Sequence, residues 1–136
     1  MAKRRVVITG IGSVNACGIG LEPFWKMALE GRSAIRELSD YSSNGSPIRV
    51  GGVIPNFQGE QFVKTKKNLK VMSRDIQLAV AASQLAVSDS GISLESLDRT
   101  RAGITLGSGL INNDLEELGV GIKQSLDSSG RFRMKL

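Results

Sequence analysis

Two short apolar runs constrain this chain more than anything else in it. Val6-Val7-Ile8-Thr9 stops on Gly10 and Gly12, and Ala102-Gly103-Ile104-Thr105-Leu106 stops on Gly107-Ser108-Gly109. Their apolarity is continuous rather than alternating, which predicts strands buried on both faces. A strand covered on both faces needs helices above and below it, so the pair predicts an α/β domain with a mainly parallel sheet.

Helical patterns lie between and after the runs. Residues 22–30 place Pro23 in a first turn, Phe24 and Ala28 on one face, and Trp25 and Leu29 on the next. Gly31 is placed to end that helix in the left-handed conformation. Residues 75–90 are alanine-rich, with Ile76, Val80 and Val87 on one face and Leu78 and Leu85 on another; Gly91 follows. Apolar residues nearly all round predict a helix buried on several sides. A third helix is expected after Asn113, with Glu116 completing a capping box and Ser128-Ser129-Gly130 breaking it. The intervening stretch 33–66 is loop-rich. It carries turn chemistry at 42–47, including Asn44-Gly45, and a short candidate strand at 49–54.

Composition removes several functions. The 136 residues contain no histidine and one cysteine. A Ser-His-Asp or Cys-His site therefore cannot be assembled from this chain alone, nor can a His-ligated zinc. One cysteine makes no intrachain disulfide and favours a reducing compartment. The basic start at 3–5 leads into too short an apolar run for a signal peptide, and no run approaches a membrane-spanning length. The expectation is a cytoplasmic protein.

Charge is local. Eighteen basic and 13 acidic residues leave a net charge of +5. Lys64, Lys66, Lys67, Lys70 and Arg74 supply that number in one segment with no acidic residue among them. Such a segment suits nucleic acid, an acidic protein or plain solvent. Nucleic acid is disfavoured, because Phe62 precedes the segment and no aromatic lies inside it to stack on bases.

The glycine clusters carry less than they first suggest. A dinucleotide fingerprint starting at Gly10-x-Gly12 requires Gly or Ala at position 15, where Asn15 stands. The short-chain dehydrogenase spacing requires glycine at position 14, occupied by Val14, and no Walker loop is present. Cys17 has neither a neighbouring base nor a helix start, and reads as a small buried hydrophobe. Gly107-Ser108-Gly109 follows a candidate strand, where parallel sheets gather ligands, but also suits a tight turn.

Taken in order and spacing, 3–12, Gly18, Trp25-Lys26 with Gly31-x-Ser33, Asp89-Ser90-Gly91 and Gly107-Ser108-Gly109 resemble the β-ketoacyl-[acyl-carrier-protein] synthases. The likeness runs from Lys3 to about Leu110 and is strongest to the elongating type II condensing enzymes of fatty acid synthesis. The resemblance implies part of the first half of a thiolase-like fold, layered helix–sheet–helix–sheet–helix. It also implies that residues 1–136 are a truncated N-terminal domain: a loop-rich 33–66, a basic-headed buried helix at 67–91, and a strand with glycine turn at 101–110.

Site roles follow from the same resemblance. Lys67 and Lys70 fall on positions that are basic where related synthases dock acyl carrier protein. Val71 departs from that pattern, while Lys64 and Lys66 add charge beside it. Gly109 and Leu110 match the place where a branched side chain lines the acyl tunnel. The family's nucleophilic cysteine, in a Thr-Ala-Cys-type motif, and its two histidines have no counterpart here. No catalytic residue is therefore expected in this chain, and Cys17 matches none. No metal or cofactor is implied, because phosphopantetheine belongs to the carrier-borne substrate. The whole enzyme is expected to be a homodimer, and the 136 residues alone inactive and self-associating. A polyketide or chain-length-factor ketosynthase, a basic nucleic-acid-binding module and a small nucleotide-binding domain remain as rival readings.

Overall fold

The computed structural model describes residues 5–39, 49–109 and 115–133. Its longest element, Arg74–Ser90, forms where the alanine-rich pattern predicts a helix. Ser73 enters it in extended backbone, and Gly91 leaves it at φ 65°, the left-handed conformation a glycine adopts without steric cost. The other helices are α1 (Leu21–Leu29), the single turn α2 (Lys66–Leu69) and α4 (Leu115–Gln124), which makes Arg74–Ser90 α3.

Segment 10–12 runs along α3 in the opposite direction. A Cβ built on Gly10 meets the carbonyl oxygen of Ala86 and lies 2.6 Å from the nitrogen of Ser90. One on Gly12 meets the carbonyl oxygen of Ala82 and lies 2.6 Å from the nitrogen of Ala86. The periods agree: two extended residues advance about 6.6–6.8 Å, and four helical residues about 6 Å. Glycines two apart therefore meet small residues four apart. Ala81, at 0% exposure, and Val63 are the buried apolar side chains among the described residues.

A hairpin follows. β1 (Val14–Asn15) pairs antiparallel with β2 (Gly18–Ile19), leaving Ala16-Cys17 as a two-residue turn. The Asn15 carboxamide oxygen accepts the N–H of Cys17 at 2.8 Å, so the side chain supports the turn. Gly18, at φ 148°, also lies where a Cβ would come within 2.9 Å of the Pro23 ring. α1 then ends in a double cap: Gly31 N–H donates to Ala28 and Arg32 N–H to Met27, with Gly31 at φ 61°. A second antiparallel pair joins β3 (Arg36–Glu37) to β4 (Val50–Gly51), which falls inside the candidate strand at 49–54.

The two runs that predicted a parallel sheet are not strands here. Neither 6–9 nor 102–106 has a hydrogen-bonded strand neighbour among the described residues, and the pairs that form are antiparallel and two residues long. Their side chains face outward: Val6 is 93% exposed, Ile8 84% and Ile104 79%. A continuous apolar run becomes a buried strand only when flanking strands satisfy its backbone and helices cover both faces. The described residues supply helix contact on one side and no neighbouring strand. For the same reason α3 is less buried than its composition predicts, with Ile76 and Val87 exposed. The turn expected at 42–47, the cap at Asn113 and the tunnel residue Leu110 lie outside the described residues.

α4 ends at Gln124, before the break expected at Ser128-Ser129-Gly130, which instead forms a separate turn. Asp127 Oδ1 accepts the Ser129 hydroxyl at 2.6 Å, the Ser129 N–H at 2.9 Å and the Arg131 N–H at 3.0 Å. This reverses the chain and brings Leu126 opposite Phe132.

Candidate functional site

Two regions of the structure hold the residues singled out from the sequence. The first is the basic segment. After Phe57 the chain makes a short 3₁₀ turn at Gly59–Gln61, then passes Val63 into α2. Lys64, Lys66, Lys67 and Lys70 are all exposed, and none of their ammonium groups has a hydrogen-bond or ion-pair partner among the described residues. Four cations within residues 64–70, unpaired among the described residues, make a positive surface that attracts an acidic partner at range.

The fifth basic residue behaves differently. Arg74 begins α3, and its guanidinium carbon lies 5.3 Å from the centre of the Phe57 ring. Phe57 is itself stacked on Phe62, with centroids 6.0 Å apart and planes 10° apart. Gln84, on α3, donates from Nε2 to the Phe62 carbonyl at 2.6 Å, and Gln77 donates to the Met72 carbonyl at 3.0 Å. Buried Gly59 fits because a Cβ there would crowd Gln77 and sit 2.8 Å from Leu69 Cδ1. The charge run was visible in the sequence. This aromatic support was not, since Phe57 and Phe62 lie in a loop with no periodicity to pair them.

The second region is a cleft of about 480 Å³ between α3, β1 and segment 106–109. Val14, Ile76, Ala79 and Leu106 give it an apolar wall, and Gly109 lies on its rim. Asp75 adds a polar edge, where its Oδ2 lies 3.4 Å from the Ser108 hydroxyl. The structure thus places Gly109 among the residues lining a largely apolar cleft.

Cys17 is apart from both regions in its role. It sits half-buried in the β1–β2 turn, its thiol free, and the sequence holds no imidazole to stand beside it. Among the described residues no cluster of three or more potential metal ligands occurs, and no helix is long and apolar enough to cross a membrane.

A glycine-bearing segment thus lies along α3, and Gly107-Ser108-Gly109 lines an apolar cleft beside it. The chain belongs to the β-ketoacyl synthase family: residues 3–132 match its N-terminal domain. It is 34% identical over 119 residues to 3-oxoacyl-[acyl-carrier-protein] synthase 2 of Vibrio harveyi, covering 88% of this chain and 28% of that protein. It is 36% identical over 105 residues to a granaticin polyketide candidate β-ketoacyl synthase 1 of Streptomyces violaceoruber, covering 77% of this chain and 25% of the relative. Among solved structures, the ishigamide ketosynthase/chain length factor superposes with a TM-score of 0.61 at 32% identity, over 71% of this chain and 24% of that one. That likeness supports a thiolase-like fold. The chain spans about 28% of the length of the first of these relatives.

Proposed function

We propose that these residues form the N-terminal part of a 3-oxoacyl-[acyl-carrier-protein] synthase of fatty acid biosynthesis, acting in the cytoplasm as a homodimer. The whole protein condenses an acyl thioester with malonyl-carrier protein. The acyl group moves from carrier thiol to an enzyme cysteine, malonyl loses carbon dioxide, and the resulting carbanion attacks the acyl carbonyl and expels the cysteine thiolate. This chain contributes no catalytic residue to that sequence. Lys64, Lys66, Lys67 and Lys70 dock the acidic carrier protein, and Gly109 with Leu110 borders the acyl pocket. Without a histidine or a second cysteine, the 136 residues alone carry out no condensation.

The observation that carries the docking role is the set of four exposed lysines with no carboxylate partner among the described residues. Its test is the association rate of the whole protein with an acidic carrier protein across a salt series. Lys67→Glu with Lys70→Glu is expected to lower the rate about tenfold or more at low salt and to flatten its salt dependence. An unchanged rate would remove the docking role.

A polyketide reading stands beside this one, supported by the likeness to the granaticin and ishigamide proteins. Single condensations on saturated acyl groups favour the fatty acid reading, and retention of unreduced keto groups through successive additions favours the other.

A further inference from the structure

Segment 63–73 bears all the docking lysines yet has little structure of its own. α2 is one turn of four residues, its Thr65 entry makes no side-chain cap, and a helix of that length does not persist unaided. Its orientation has to come from what holds its two ends. At the leading end, Phe62 stacks on Phe57 and its carbonyl accepts from Gln84, 22 positions away on α3. At the trailing end, the Met72 carbonyl accepts from Gln77, and Arg74 starts α3 with its guanidinium over the Phe57 ring. The Arg74–Phe57 separation of 5.3 Å is inside the roughly 6 Å range of a cation–π contact. The contact joins the leading end to the trailing end and closes a loop around the lysines.

We infer that Phe57, Phe62, Arg74 and Gln84 form a clasp that positions the lysine surface on α3, making Arg74 a positioning residue rather than one of the docking charges. The inference rests on the carrier-docking reading for its consequence, but the clasp itself can be measured without a carrier. An ordered array of cations presents its charges at fixed spacing, which is what a complementary acidic face selects. A loosened segment keeps its charge and loses its register.

Two measurements on the whole protein separate these claims. Trypsin cleavage after Lys64, Lys66, Lys67 and Lys70 reports local opening. Phe57→Leu and Gln84→Ala are each expected to speed it by about threefold or more, with thermal midpoint little changed, and Phe57→Tyr to restore protection. The second is a double-mutant cycle on carrier association. Phe57→Leu changes no charge, so it is expected to slow association while leaving the salt slope intact. Arg74→Met is expected to add little once Phe57 is Leu, because both break the same contact. Unchanged cleavage in both Phe57→Leu and Gln84→Ala, or additive losses in the cycle, would overturn the clasp. If Phe57→Leu does not fold, the exposed Gln84 substitution alone decides the cleavage result. Carrier binding indifferent to Lys67→Glu and Lys70→Glu would refute docking, while the cleavage data would still judge the clasp.

Discussion

The backbone N–H of Ile11 donates to Oδ2 of Asp89 at 2.8 Å, joining residues 78 positions apart. Among the described residues segment 10–12 has no strand partner, and the Ile11 amide is satisfied by a side chain instead. Asp89 does this from the last turn of α3, beside the point where Gly10 meets the helix backbone. Asp89→Ala is expected to lower stability by about 1 kcal/mol in denaturant unfolding. Asp89→Asn keeps an acceptor oxygen and is expected to cost less. Equal losses for the two would mean that this hydrogen bond is not their source.

The glycines divide sharply into those with neighbours and those without. Gly12→Ala puts a methyl against the Ala82 carbonyl and is expected to destabilise by about 1–3 kcal/mol or more. Gly119, inside α4, has nothing within 4 Å of a built Cβ. Gly119→Ala is expected to stabilise α4 by about 0.5–1 kcal/mol through helix propensity and chain entropy. Urea midpoints of both variants, compared with the parent, test the contrast; a harmless Gly12→Ala contradicts the close approach to α3.

Cys17 sits in the β1–β2 turn, where its backbone N–H and not its thiol is bonded. Cys17→Ser in the whole protein is expected to leave condensation rate essentially unchanged, because Asn15 bonds the backbone N–H and not the thiol. Intact-mass analysis after incubation with acyl-carrier protein is expected to find no acyl group on residue 17. An acylated Cys17 would require a different assignment of the nucleophile.

Asp127 gives a pH dependence whose direction is set by its partners. The Ser129 hydroxyl, then the Arg131 amide, hold its carboxyl below the usual carboxylate range. A carboxyl depressed in the folded chain supports its turn fully above its unfolded pKa, and that support is lost as pH falls through the folded value. The 127–131 turn is therefore complete at neutral pH and loosens only in acid. In an NMR titration, Ser129→Ala is expected to raise the Asp127 midpoint toward the ordinary value; an unmoved midpoint would exclude the hydroxyl as the main cause.

How much was legible varied with the range of the forces involved. α1 and α3 were readable because their apolar spacing, Pro23, Gly31 and Gly91 act within a turn or two of chain. The turn chemistry of Ser128-Ser129-Gly130 was equally local, although α4 stops earlier, at Gln124. The lysines were readable as a charge run, since charge is a property of composition. The strands expected at 6–9 and 102–106 do not form among the described residues, because a strand depends on partners distant in sequence and none stands beside either run. Antiparallel hairpin β1–β2 was equally hidden: it depends on an Asn15 side-chain bond and on Gly18 tolerating φ 148° beside Pro23.

By itself the sequence determined α1, the body of α3, the glycine stops, the absence of histidine and the positive segment, all products of local sterics and residue chemistry; the helix expected at 67–91 is divided, with 70–73 outside α2 and α3. Only the tertiary structure decided what those features meet. It set Gly10 and Gly12 against Ala82, Ala86 and Ser90, placed the Arg74 guanidinium over Phe57, and brought Gly109 to an apolar cleft. The physical reason is the same in each case. Close packing, cation–π contact and cavity formation depend on distances between residues far apart in the chain, and no spacing along the sequence encodes those distances.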